Sequence, residues 1–107
     1  MSDQMKVTKV PKLATNAACG IVADTISHFG LSQAEVARAM NVSPGLISDI
    51  VKGKKGVSVE FAIRFEKCFG VSSEWLVKTQ SFHDYCTTWH KKEAAIASEV
   101  KPVEQAV

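Results

Sequence analysis

Long apolar runs, a strong excess of either charge and a pairable set of cysteines are all missing from this 107-residue chain. Its apolar stretches last only a few residues, which excludes a spanning helix of about 20. No apolar core follows the lysines of MSDQMKVTKVPK at the start, so no secretory leader is expected and the expected compartment is the cytoplasm. Three cysteines cannot pair completely within one chain, and in that compartment they should stay thiols. A glycine-rich phosphate loop and a convincing catalytic pair are also lacking, so the sequence argues neither for an enzyme nor for a cofactor.

Apolar residues make up 46% of the chain, ordinary for a folded domain, and the length fits one small domain with tails. Net charge is only +2, but it is unevenly placed. Residues 1–56 hold seven Lys/Arg against four Asp/Glu, whereas residues 57–107 hold six against seven. A polyanion, if one is bound, is met by the first half.

The periodicity is helical throughout, and the expected class is all-α with five helices. Residues 1–15 lack a sustained apolar period and read as a mobile basic arm. From Ala17 a first helix puts Ala17, Ala18, Ile21, Val22, Thr25, Ile26 and Phe29 on one face and stops at Gly30. Ser32-Gln33-Ala34-Glu35 is a capping-box sequence that opens a short second helix burying Val36, Ala37 and Met40. Asn41 stands where the chain must turn, and asparagine tolerates the left-handed conformation that ends helices. In NVSPGLISDIVKGKK, Pro44-Gly45 resembles a loop, yet Ser43 is a good N-cap and Pro44 falls at the first helical position, where its missing N–H costs nothing. A third helix therefore starts there and closes at Gly53. Ser58 caps a fourth with Phe61, Ala62, Phe65, Cys68 and Phe69 inward, ended by Gly70. Ser72 or Ser73 begins a fifth, continuing to about Val100, with Thr87-Thr88 its weakest place. The expected division is an arm (1–15), a domain (16–80), and a C-terminal helical extension and tail (81–107).

Two short helices and a tight turn can form any bundle corner, but a DNA-reading helix-turn-helix places particular residues at fixed positions. Ala37 is the small residue where the second helix packs across the first. Asn41 serves the turn, Val42 plugs the corner, and Ile47 and Ile50 anchor the second helix. All five fall in register over QAEVARAMNVSPGLISDIVK. On the outer side of that helix stand Ser43, Pro44, Gly45, Ser48, Asp49 and Lys52, none of them the Arg or Asn that makes the strongest bidentate base contacts. Gly45 allows close backbone approach, offering an N–H to phosphate at the positive helix end. Asp49 either accepts from a cytosine amine or is a solvated acid, and Ser48 either reads a base edge or faces water. Affinity is expected from Lys52, Lys54 and Lys55 on the DNA backbone, with Arg38 and the arm lysines assisting. The bland reading of Gly-Lys-Lys-Gly is a solvated loop.

GLSQAEVARAMNVS and LISDIVKGKKGVS resemble the Xre/Cro–lambda-repressor helix-turn-helix family over about residues 18–76. Beyond them, Ala62, Arg64, Gly70, Trp75-Leu76, Gln80 and Asp84 fit the outline of the HigA branch of antitoxins, although that branch's Pro-Gly-Glu entry is absent. The resemblance implies a lambda-repressor-like domain in which Gln33 and Ser43 hold DNA phosphates. It further implies a homodimer on double-stranded operator DNA, repressing its own operon and neutralising a RelE-like, messenger-cleaving toxin. A phage-type repressor without a toxin, or an adaptor that keeps the fold without DNA binding, are the alternatives.

In the fifth helix Trp75, Phe82, Trp89 and Ile96 recur every seven residues, interleaved with Thr79, Cys86, Glu93 and Val100. Phe82, Trp89 and Ile96 are the candidate dimer or partner residues, with Trp75 and Phe82 expected mainly to pack on the domain, whose core should end near Gln80. His83, Cys86 and His90 share a face, but three ligands on one unbroken helix make a poor tetrahedral cage, so no metal is expected. Cys86 reads as a packing residue, and Cys19 and Cys68 as inert core thiols.

Overall fold

Three left-handed residues set the path of the chain. Gly30, Asn41 and Gly70 take φ of 69°, 57° and 75° and end α1 (Ala17–Phe29), α2 (Gln33–Met40) and α4 (Val59–Phe69). Between and after them lie α3 (Pro44–Val51) and α5 (Ser73–Glu99). The structure, a computed structural model, describes residues 9–104, and among them there is no strand. The start of the basic arm, residues 1–8, lies outside the described residues.

Every helix opens on a side-chain cap. Asn16, Ser32, Ser43, Ser58 and Ser72 each accept a backbone N–H two or three residues on. In the capping box, Glu35 N–H donates to Ser32 Oγ at 3.1 Å and Ser32 N–H donates to Glu35 Oε1 at 2.8 Å. Pro44 occupies the first turn of α3, so Pro-Gly does open a helix. Each such cap contributes about 1 kcal/mol, a large share for helices of two turns.

α2 packs on α3 and α4, α1 on α3 and α5, and α4 on α5. The core takes Ala18, Cys19, Val22 and Ile26 from α1, and Val36, Ala37 and Met40 from α2. Ile47, Ile50, Val57, Phe61, Ala62, Phe65 and Leu76 complete it. Ile47, Ile50 and Phe65 are wholly buried, each stabilising by about 1.5–3 kcal/mol.

Several expected core positions lie elsewhere. Ala17 is exposed at the start of α1, whose inner face is Ala18, Cys19, Val22 and Ile26, and Cys68 is exposed because only Phe61, Ala62 and Phe65 of α4 reach the interior. Phe29 and Phe69 sit at the margin, edge to face with centroids 5.0 Å apart. Trp75 and Phe82, expected to rest on the domain, are 54% and 49% exposed. The domain covers the opposite side of α5, through Leu76 and Gln80. Nor does burial end at Gln80. Cys86 is buried two turns further on, beside Lys12 and Leu13, and His90 Nε2 donates to the Val10 carbonyl at 2.7 Å. Residues 9–15 thus lie along α5 instead of standing free.

α5 runs unbroken through Thr87-Thr88 for 27 residues, about 40 Å at about 1.5 Å per residue. It gives the molecule extents of 60 × 23 × 20 Å and a radius of gyration of 18.3 Å, against about 13 Å for a compact globule of this size.

Glu66 ties α4 to the start of α5, accepting both the Ser73 N–H and the Ser73 hydroxyl at 2.7 Å. Those bonds, the hydroxyl's first, lower its pKa below the ordinary 4.5, as the Ser32 bonds do for Glu35. A carboxylate whose folded pKa is depressed contributes stability above its unfolded pKa and loses it as pH falls through the folded one. We expect the melting temperature to fall as pH drops from about 5 to 3, and Glu66→Gln to be less stable at pH 7 with a shallower acid loss. Thermal melts across that range check this; an unchanged acid slope in the variant would contradict it.

Candidate nucleic-acid interface

α3 is held by its inner face alone. Ile47 and Ile50 point into the core, Leu46 and Val51 pack at its edge, and Ser43, Pro44 and Gly45 stand exposed at its N-terminal end. The Ser43 side-chain oxygen accepts the Leu46 N–H at 3.1 Å, which leaves its hydroxyl proton free to donate outward. Nothing lies within 4 Å of where a Gly45 Cβ would stand, so the bareness of this turn is not demanded by packing. What a methyl would obstruct there is an approach from outside.

Ser48 and Asp49 are half-buried instead of fully outward. Asp49 is occupied in two ways. Its carboxylate lies 3.8 Å from Lys55 Nζ, and its main-chain carbonyl accepts Lys54 N–H at 2.7 Å and Lys55 N–H at 3.3 Å. The segment after α3 therefore folds back on the end of that helix, aided by Gly53 at φ 76°. The exposed Lys55–Asp49 pair adds little stability, but it mutes two of the charges a phosphate would feel. Lys52 and Lys54 remain exposed without such a partner among the described residues.

Gln33 occupies the first turn of α2, exposed, where free N–H groups and the positive helix end favour an anion. Arg38 is exposed near the other end of α2. Gln33, the first turn of α3 and the Lys52–Lys55 loop thus all stand clear of the core.

Two supports escaped the apolar pattern. Arg64, on α4, donates from Nη1 to the Met40 carbonyl at 3.0 Å while Nε and Nη2 hold Glu60 at 3.1 Å. It caps the end of α2 immediately before the Asn41 turn. Gln80 is buried at the meeting of α1, α5 and the segment entering α4. Its Oε1 accepts from Val57 N–H at 2.7 Å and Asn16 Nδ2 at 2.9 Å, while Nε2 donates to Asp84 at 2.9 Å. Both residues belong to the outline the sequence resembles, but their partners could not be read from spacing.

Burial pushes the Cys19 thiol pKa up, and its Sγ donates to the Lys55 carbonyl at 3.2 Å. Among the described residues no three metal-ligating side chains converge.

The apolar stripe of α5 is distinct from all this. Phe82, Tyr85 and Trp89 form a ladder with centroids 6.4 and 6.1 Å apart, continued by Ile96 and Val100. Trp89 and Ile96 are 36% and 49% exposed. Tyr85, Trp89, Ile96, Ala97, Val100 and Pro102 line much of an open groove of about 850 Å³. Tyr85 is an addition to the seven-residue spacing, placed there by the 3.6-residue helical period.

Residues 28–76 match the helix-turn-helix family model. Virulence-associated protein I of Dichelobacter nodosus is 33% identical over 59 residues, 55% of each chain, so the chain spans about half the length of this curated relative. Among solved structures, the Pseudomonas aeruginosa antitoxin HigA with the higBA promoter is 28% identical, with a TM-score of 0.74 over 81% of this chain and 96% of that one. A Pseudomonas aeruginosa protein in complex with its 28-base-pair operator DNA is 30% identical, with a TM-score of 0.71 over 80% and 96%. A HigA-family addiction-module antidote protein from Coxiella burnetii, 22% identical with a TM-score of 0.71 over 80% and 95%, shares the fold.

Gly45→Ala should fold normally, with stability unchanged or raised by up to about 1 kcal/mol. Its DNA affinity should nevertheless fall, because the methyl stands between backbone and phosphate. Parallel melts and mobility shifts check this; tighter binding by the variant would defeat the reading of a surface bared for close approach.

Proposed function

We propose that this chain, whose residues 28–76 match the helix-turn-helix family model, is a cytoplasmic, dimeric DNA-binding repressor acting as the antitoxin of a HigBA-type pair. The observation that carries the reading is that the first turn of α3, the Gln33 end of α2 and the Lys52–Lys55 loop are all exposed. A surface bared at a helix N-terminus, with a lysine loop after the other end of the same short helix, is chemically suited to a phosphate backbone. The promoter-bound HigA and the operator-bound Pseudomonas aeruginosa protein, both near 30% identity, support the same assignment. The role is one of binding, with no catalytic step.

Its mode of DNA recognition follows from the residues. Gln33, Ser43 and Gly45 offer donors to phosphate, while Lys52, Lys54, Lys55 and Arg38 supply charge. Pro44 shapes the approach. Ser48 and Asp49 are the candidates for reading base edges, Asp49 only on releasing Lys55. Without an arginine on α3, most affinity comes from the backbone and sequence discrimination is modest.

One helix-turn-helix covers few base pairs, so a two-fold pair on half-sites about 34 Å apart supplies the remaining discrimination. Phe82, Trp89 and Ile96 are the anchors for that partner, because the domain covers the other side of α5. The same helix also offers a surface to a RelE-like toxin. A short basic reading frame beside the gene would favour the antitoxin role over a phage-type repressor.

The test is a mobility shift on the duplex upstream of its own coding sequence, titrated with salt. Wild type should bind with a steep salt dependence, and Lys54→Ala/Lys55→Ala should weaken binding on all sequences and flatten the slope by about one to two units. Unchanged affinity would remove this loop from the interface.

Sedimentation tests the pairing. Trp89→Ala removes an anchor of a kind whose truncation costs about 3–5 kcal/mol at packed sites, and should yield a folded monomer at micromolar concentration with weaker operator binding. A variant that remains a dimer with full affinity would place the pairing surface elsewhere.

A further inference from the structure

We infer that Gln80, a buried residue of α5 that touches no exposed surface of α3, is a positioning residue for DNA binding. The inference rests on the DNA-binding reading above and names what holds the lysine loop in place.

The Lys52–Lys55 loop is short of apolar anchors. Residues 52–56 are all exposed, and the first buried side chain after Val51 is Val57. Its placement therefore depends on main-chain bonds. At its start, the Lys54 and Lys55 N–H groups bind the Asp49 carbonyl. In its middle, the Lys55 carbonyl accepts the Cys19 thiol at 3.2 Å, a weak bond. At its end, Val57 N–H donates to Gln80 Oε1 at 2.7 Å, the shortest of the inward bonds to another helix.

Gln80 is well fitted to that task. Asn16 on one side and Asp84 on the other fix its amide, so its oxygen can only face the N–H groups of Asn16 and Val57. Gly56 confirms how close the loop is drawn. A Cβ there would stand 2.7–2.9 Å from all three terminal atoms of the Gln80 amide. Gly56 is thus needed for space and not for an unusual φ, since only Gly30, Gly53 and Gly70 among the described glycines take positive values. Loop and amide are mutually seated, and the loop is carried by the same helix that presents the Trp89 stripe.

The alternative is that Gln80 merely satisfies buried polar groups and supports the fold as a whole. The two roles separate experimentally. Gln80→Met keeps the length of the side chain and removes its acceptor and donors. In the DNA-free protein, the Val57 amide should exchange about tenfold faster or more, while Ile47 and Ile50 keep their protection. Operator affinity should fall about tenfold, with the salt slope lower by about one unit, because a lysine leaves its phosphate. Adding Lys54→Ala to Gln80→Met should then cost less than Lys54→Ala alone, the non-additivity expected of residues acting through one contact.

If Gln80→Met fails to fold, Gly56→Ala applies the opposite displacement from the loop side and is read by the same slope and the same cycle. A loss of affinity with an unchanged salt slope, or strict additivity with Lys54→Ala, would overturn the positioning role. So would wild-type operator binding by a variant whose Val57 amide has lost protection. A wild-type protein that shifts no DNA would overturn the DNA-binding reading itself, an outcome distinct from each of these.

Discussion

The left-handed turn at Asn41 is the constraint on which the interface depends. Helices of eight residues are marginal on their own in water, so α2 and α3 exist only where the core receives them. Reversing the chain within Asn41-Val42-Ser43 requires φ of 57° at a residue with a side chain, at a cost of about 1 kcal/mol. Three local features offset it. Asn41 and Val42 donate their N–H groups to the Arg38 and Ala37 carbonyls, Arg64 takes the Met40 carbonyl, and Val42 packs on the core. Once the turn is made, Ser43 caps α3, Ile47 and Ile50 enter the core, and Ser43–Gly45 are left exposed at the start of the helix. The surface proposed to meet DNA is thus the part of α3 that the core leaves uncovered.

Much of this was legible because it is local. Caps, stops and the Pro-Gly opening follow from rules that relate residues three or four apart, and each helix begins and ends close to where those rules place it. α2 and α3 have a single apolar face each, so their inner residues could be named. The misassignments fall where that condition fails. α4 offers apolar residues on several sides, and Cys68 turned out to be exposed. α5 has aromatic, polar and small residues all round, so its sequence cannot say which side meets the domain. The structure answers that with Leu76 and Gln80 on one side and Phe82, Tyr85 and Trp89 on the other. Buried polar anchors are illegible for a different reason. Hydrophobic patterning is silent on a glutamine in the core, and nothing local pairs Gln80 with Gly56.

The two ends of the molecule divide its physics. The helix-turn-helix end is built from short, capped helices around one apolar core, with lysines where the chain leaves that core. The α5 end is a long helix with too little domain to cover it. Residues 9–15 cover one strip, through Leu13 and the Val10 carbonyl, and leave the aromatic strip open. Gln80 stands where the two regions meet, bound to the first residue of α1's cap, to the segment after the lysines and to the next turn of α5. Rearrangement of α5 by a partner would therefore reach the loop through hydrogen bonds, without passing through α3.

Mapping amide shifts shows whether DNA is met by the first turn of α3 and the Lys52–Lys55 loop. Isotope-labelled protein is titrated with the duplex upstream of its own gene at low salt. The largest changes are expected on Gln33, on Ser43 and Gly45 through Ser48, and on Lys52 to Lys55. Changes confined to the Phe82–Val100 stripe, or scattered with no preference for α3 and its loop, would contradict that interface.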